Sequence, residues 1–202
     1  MRISTTAGGL ALGLAAAIGW GGMAAAQDQA AGGAAAPAAA PATGEAQGAR
    51  RVLPNGQDIT PDHMENGRWY TADGIPTYKI GPDGTVDYAT FSGFRRYSAE
   101  CHVCHGPDGE GSSYAPALKD SVLRLDYYEF QQIVASGKQD VNKAANLVMP
   151  AFGTNKNVWC YIDDIYAYLL ARGMGDLPRG RPAKKESKSD EFTAQEDACM
   201  NG

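Results

Sequence analysis

Apolar and polar positions divide the chain into stretches of different texture. Behind Met1-Arg2, residues 7–23 are almost wholly small and apolar, and Ala24-Ala25-Ala26 precede Gln27. A charged start, a short apolar run and an Ala-x-Ala site predict a signal peptide over 1–26. Residues 27–50 hold no large apolar side chain, and 11 of the 21 residues from 29 to 49 are Ala. With Pro37, Pro41 and several Gly against a helix, this stretch reads as a disordered linker. From 51 to 90 the short runs Trp69-Tyr70, Thr77–Ile80 and Thr85–Tyr88 alternate with the turn sequences 72–76 and 81–84. They predict a small β-hairpin or meander. His63 sits in a polar segment and is expected at the surface.

The period becomes helical at Phe91. Gly93, Tyr97 and Cys101 recur every four residues, which puts them on one face of a helix over 91–101. Tyr127, Phe130, Ile133 and Val134 share a face of a second helix, with Asp126 as N-cap and Gly137 as its stop. Ile162, Ile165, Tyr168 and Leu169 stripe a third, over 158–171, which is the expected partner for the Gly93 face. The fold class is therefore mainly α, with a domain over 91–182. Residues 183–202 are charged and helix-poor, and are expected to form a solvated tail.

The chemistry concentrates in Cys101-His102-Val103-Cys104-His105, in a chain with four Cys and three His. Cys-x-x-Cys-His is the attachment pattern of a c-type haem. Cys101 and Cys104 can each form a thioether to a porphyrin vinyl group, and His105 then faces the iron. A thioredoxin-type redox pair would need a βαβ setting, and a zinc site a second ligand pair; neither is apparent. On the far side of the iron, Met149 is the candidate ligand, because Pro150 holds the residue before it extended. Met174 is the alternative. Once the haem has its two thiols, Cys160 and Cys199 remain, and they are expected to pair in an oxidising compartment.

The length of 202 residues suits one domain with appendages. Loss of residues 1–26 removes Arg2 alone among the charges, leaving 17 basic against 23 acidic residues, net −6. That balance argues against nucleic acid as a partner. After Ala26 no segment approaches eighteen apolar residues, so no membrane span is expected in the mature protein.

Gly93-x-x-x-Tyr97-x-x-x-Cys101, the Cys-x-x-Cys-His motif, Pro116, Met149-Pro150 and the run Asp164–Leu169 together resemble a class I c-type cytochrome. The resemblance implies that the first and last helices cross beside one covalent haem c. It implies His105 and Met149 as axial ligands, and a Pro116 carbonyl that accepts the His105 ring proton. The runs 101–118, 148–153, 159–169 and 179–182, with two extra Cys, further resemble the four-cysteine cytochromes of methanol metabolism, of the cytochrome c-L type. That implies a periplasmic electron carrier, not an enzyme. Its donor would be a PQQ-dependent, in some cases lanthanide-dependent, methanol dehydrogenase, and its acceptor a downstream cytochrome c or oxidase. A carrier of another respiratory pathway and a haem subunit of a larger dehydrogenase complex are the alternatives.

Overall fold

The computed structural model describes residues 50–141 and 146–202; the expected signal peptide and nearly all of the expected linker lie outside them. The N-terminal part is a three-stranded antiparallel meander: β1 (His63–Glu65), β2 (Arg68–Tyr70) and β3 (Pro76–Thr77). Asn66 and Gly67, both at positive φ, make the two-residue turn that sets Glu65 opposite Arg68. Val86 bridges Ile80 on one side and Lys185 on the other, so the C-terminal segment returns to the extension.

Helix α1 (Tyr88–Glu100) begins at Asp87, a buried N-cap whose carboxylate accepts the Thr90 amide at 2.8 Å. The short α2 (His102–His105) follows, then a 3₁₀ turn over Pro107–Gly109 and the short α3 (Leu118–Ser121). Helix α4 (Tyr127–Ser136) opens with a reciprocal capping box between Asp126 and Glu129. A hairpin, β4 (Lys138–Val141) with β5 (Asn146–Met149), leads to α5 (Lys156–Trp159) and α6 (Ile162–Gly173). The third expected helix is thus two, broken at Cys160–Tyr161, where Tyr161 leaves helical backbone geometry.

Helix α6 is the spine. Gly93 of α1 meets it so closely that a methyl group there would overlap the Asp164 carbonyl oxygen and lie 2.9 Å from Tyr168 Cβ. The expected crossing of first and last helices is present. The expected one-sided stripe is not, because nearly every residue from Ile162 to Arg172 is buried. The extension is the cause, since it packs on α6. Arg68 donates to Asp164 at 2.7 Å, Tyr70 to Asp163 at 2.9 Å and Gln57 to the Tyr166 hydroxyl at 2.8 Å. Leu53, Ile59, Ile75 and Tyr78 join the same core as Ile165, Tyr166 and Leu170.

Residues 183–202 differ from expectation. They end in a helix, α7 (Asp190–Asn201), capped by the Ser189 hydroxyl. Phe192 on α7 is buried against Tyr88, with ring centroids 4.9 Å apart, and beneath the Arg68 guanidinium at 4.2 Å. Cys160 and Cys199 form a disulfide, with Cα atoms 5.7 Å apart. One buried aromatic and one bridge suffice to dock an otherwise polar helix, which is why its pattern gave so little signal.

Candidate haem site

The α1 helix ends at the motif. Cys101 is its C-cap and starts α2. The Cys104 side chain is exposed, and that of Cys101 is half-buried against the core. Among the described residues no three His, Cys, Asp or Glu side chains gather to hold a metal ion.

His105 is buried, and its Nδ1 lies 2.9 Å from the Pro116 carbonyl oxygen. A carbonyl only accepts, so Nδ1 carries the proton and Nε2 keeps its lone pair for a metal. Burial lowers the His105 pKa, with the Pro116 bond opposing, which favours the neutral ring a metal needs. Two adjacent thiols and an imidazole already fixed in its metal-binding tautomer match the donor set of a c-type haem.

The loop from Gly106 to Ala117 brings Pro116 back to the ring. Gly106 and Gly111 have positive φ; a methyl on Gly106 would overlap the Gly111 carbonyl, and one on Gly111 would lie 2.8 Å from the Ala117 nitrogen. Tyr97 was expected only to pack. It also binds this loop, its hydroxyl lying 2.6 Å from the Gly106 carbonyl, 3.2 Å from that of His105 and 3.0 Å from the Gly109 amide. Nothing in the sequence pattern announced that use of its oxygen.

Met149 closes β5 opposite Lys138 and is half-buried against the core. Gly137, at φ 73°, allows the close approach, since a Cβ there would lie 2.5 Å from the Met149 carbonyl. The Phe152 and Gly153 amides donate to Val134 and Ala135 at 2.9 and 3.1 Å, which ties the Met149-Pro150 segment to the end of α4. Met174 lies elsewhere, at the C-cap of α6. Its neighbour Gly173 packs on the Lys119 carbonyl, on the side of the His105–Pro116 loop. His63 is a partly exposed surface residue beside Asp62.

Comparison with known proteins places this geometry in a family. The family model described as cytochrome c oxidase, cbb3-type, subunit III matches residues 89–169. Cytochrome c-553I of Paracoccus denitrificans is 80% identical over 157 residues, covering 78% of this chain and 70% of that protein. Cytochrome c-555 of Methylococcus capsulatus is 37% identical over 102 residues, half of this chain and 76% of the relative. The crystal structure of the c-type cytochrome XoxG from Methylobacterium extorquens AM1 superimposes with a TM-score of 0.64 at 49% identity. The match spans 75% of this chain and 98% of that one. With the motif, the helix crossing and these relatives in place, the chain belongs to the class I c-type cytochromes and carries covalently bound haem c.

Proposed function

We propose that this cytochrome is a periplasmic carrier of single electrons, taking them from a PQQ-dependent methanol dehydrogenase, lanthanide-dependent types included, and passing them to a downstream cytochrome c or oxidase. The observation that carries the reading is the buried His105 whose Nδ1 is committed to Pro116, beside the Cys101 and Cys104 sulfurs of the attachment motif. Bound haem c supplies a one-electron ferric–ferrous couple.

The chain's own residues do the rest. Cys101 and Cys104 would anchor the group through thioethers. His105 would hold the iron through Nε2, with Pro116 keeping the ring from rotating. Met149 would supply a thioether ligand to the same iron; the anchorage of its segment to the end of α4, while Gly173 beside Met174 packs on Lys119, supports it over Met174. Two protein ligands leave no coordination position for a substrate, which favours a carrier over a peroxidase or a gas-binding protein. A thioether ligand also raises the potential, as suits an acceptor from a dehydrogenase.

The donor assignment draws on the four-cysteine pattern, with its Cys160–Cys199 bridge, and on the likeness to XoxG. Export to the periplasm is supported by the signal-like start and by that disulfide; among the described residues no helix is long and apolar enough to cross a membrane. The test is to mix the oxidised holoprotein with purified PQQ methanol dehydrogenase and methanol. Haem reduction on the timescale of turnover is expected; its absence would refute the donor.

A second reading, a haem subunit fixed in a larger complex, draws on the oxidase-subunit description of the family matching residues 89–169. Sizing the native protein separates the two, since a carrier runs alone.

A further inference from the structure

We propose that Arg172 is the positioning residue that fixes the orientation of the His105 imidazole, acting through the loop from Gly106 to Ala117. This rests on the reading of His105 as an iron ligand.

Arg172 lies in the last turn of α6 and is only 7% exposed. A guanidinium is tolerated in such a place when its donors are met. Here Nε donates to the Asp108 carbonyl at 3.3 Å, Nη1 to the Leu177 carbonyl, and Nη2 to Glu110 Oε1 at 2.9 Å. The other Glu110 oxygen faces Lys119 Nζ at 3.6 Å. Asp108 and Glu110 follow His105 closely, and Lys119 follows Pro116 closely. One buried cation, through the bridging Glu110 carboxylate, therefore joins the two limbs of the loop whose ends make the His105–Pro116 hydrogen bond.

Asp108 is tied down through its side chain as well. It is a non-glycine residue at φ 59°, a left-handed conformation that Asp adopts more readily than most residues. Its carboxylate accepts the Gly180 amide at 2.9 Å and faces Arg179 Nε at 3.4 Å. Tyr97 secures the His105 limb alone. Arg172 links that limb, through Glu110 and Lys119, to the Pro116 limb, beside the backbone bond from the Gly111 amide to the His105 carbonyl. A residue present only to fill the core would not need three donors, two aimed at the 108–110 turn and one at Leu177.

Loosening the brace lets the Pro116 carbonyl drift from Nδ1. The imidazole then donates less charge to the iron, the ferric form loses stabilisation and the potential rises. Arg172→Lys keeps the charge but lacks the planar fork. In the holoprotein it is expected to raise the midpoint potential by the equivalent of a threefold to tenfold change in the reduced-to-oxidised ratio, up to about 59 mV for one electron. By NMR the His105 Nδ1 proton should exchange with solvent about tenfold faster.

Glu110→Ala removes the carboxylate that bridges Arg172 to Lys119, so it should shift both readings the same way. If both variants keep the wild-type potential and exchange rate, with only the melting temperature lowered, the proposal is overturned. Should Arg172→Lys fail to mature, Glu110→Ala decides alone. Failure of the ligand assignment would show separately, as wild-type holoprotein lacking the shifted ring resonances of an iron-bound His105.

Discussion

His105 is placed by carbonyl groups. Pro116 takes the ring proton, and Tyr97 binds the His105 and Gly106 carbonyls, so the imidazole and its backbone are restrained by different parts of the chain. Among the described residues the Met149 side chain has no hydrogen-bond partner; core packing, Pro150 and the amides that follow deliver it. Truncating it should therefore spare the fold and remove the ligand. Met149→Ala is expected to keep covalent haem, lose the Met-to-iron charge-transfer band and lower the potential, as seen by near-infrared spectroscopy and redox titration. An unchanged spectrum would move the role to Met174. The motif residues and Met149 were legible because covalent and coordinate bonding demands particular atoms. The loop residues Asp108, Glu110 and Arg172 were not, because charged residues this common acquire meaning only from what they touch.

The elements meet where side chains are smallest or most costly to bury. At the α1–α6 crossing Gly93 has no room for a methyl against the Asp164 carbonyl. Gly93→Ala should cost about 3 kcal/mol, the upper range for overpacking, measured by denaturant unfolding of the holoprotein. The Asp164 carboxylate is fully buried, between Arg68 of the extension and Ser92 of α1. Burial pushes this acid up to about 7, with Arg68 pulling it down.

Arg68→Met removes that cation and should cost about 3–5 kcal/mol near neutral pH. The sign of the pH dependence follows. Asp164 has a higher pKa folded than unfolded, so the native state binds the extra proton and stability falls as pH rises from about 4. In the variant the folded pKa rises further. The loss should be greatest above about pH 7 and shrink toward acid, where Asp164 is neutral. A deficit independent of pH would refute this account of the pair. The Asn66-Gly67 turn was not among the turns expected at 72–76 and 81–84, although that dipeptide favours it; the Arg68–Asp164 pair joins residues 96 apart in sequence and leaves no local trace.

Across the whole molecule, the extension and the haem domain close around α6, and the C-terminal helix docks beside them on α1 and α5. The extension covers the far face of α6, and α7 docks through Phe192 and the Cys160–Cys199 bridge. That bridge spans 39 residues, for which the chain-entropy account of crosslinking gives about 4 kcal/mol. Replacing Cys160 and Cys199 together with Ser should lower stability by about that amount and release α7. The haem spectrum should not change, because neither residue reaches the Cys101–His105 motif. Thermal unfolding and visible spectroscopy on one sample test both halves, and a changed axial spectrum would contradict the separation.

By itself the sequence determined the covalent chemistry and the periodic elements. It held the Cys-x-x-Cys-His motif, a Met fixed by Pro, two remaining Cys that pair, and helices whose apolar periods mark their inward faces. These depend on bonding partners or on neighbours a few residues away. Tertiary structure decided what depends on distant contact. It buried α6 on nearly all sides, turned a charged tail into a docked helix, and drew Tyr97, Glu110 and Arg172 into the support of one imidazole. Buried polar groups must be paired, and their partners lie wherever the fold brings them, in no register that the sequence repeats.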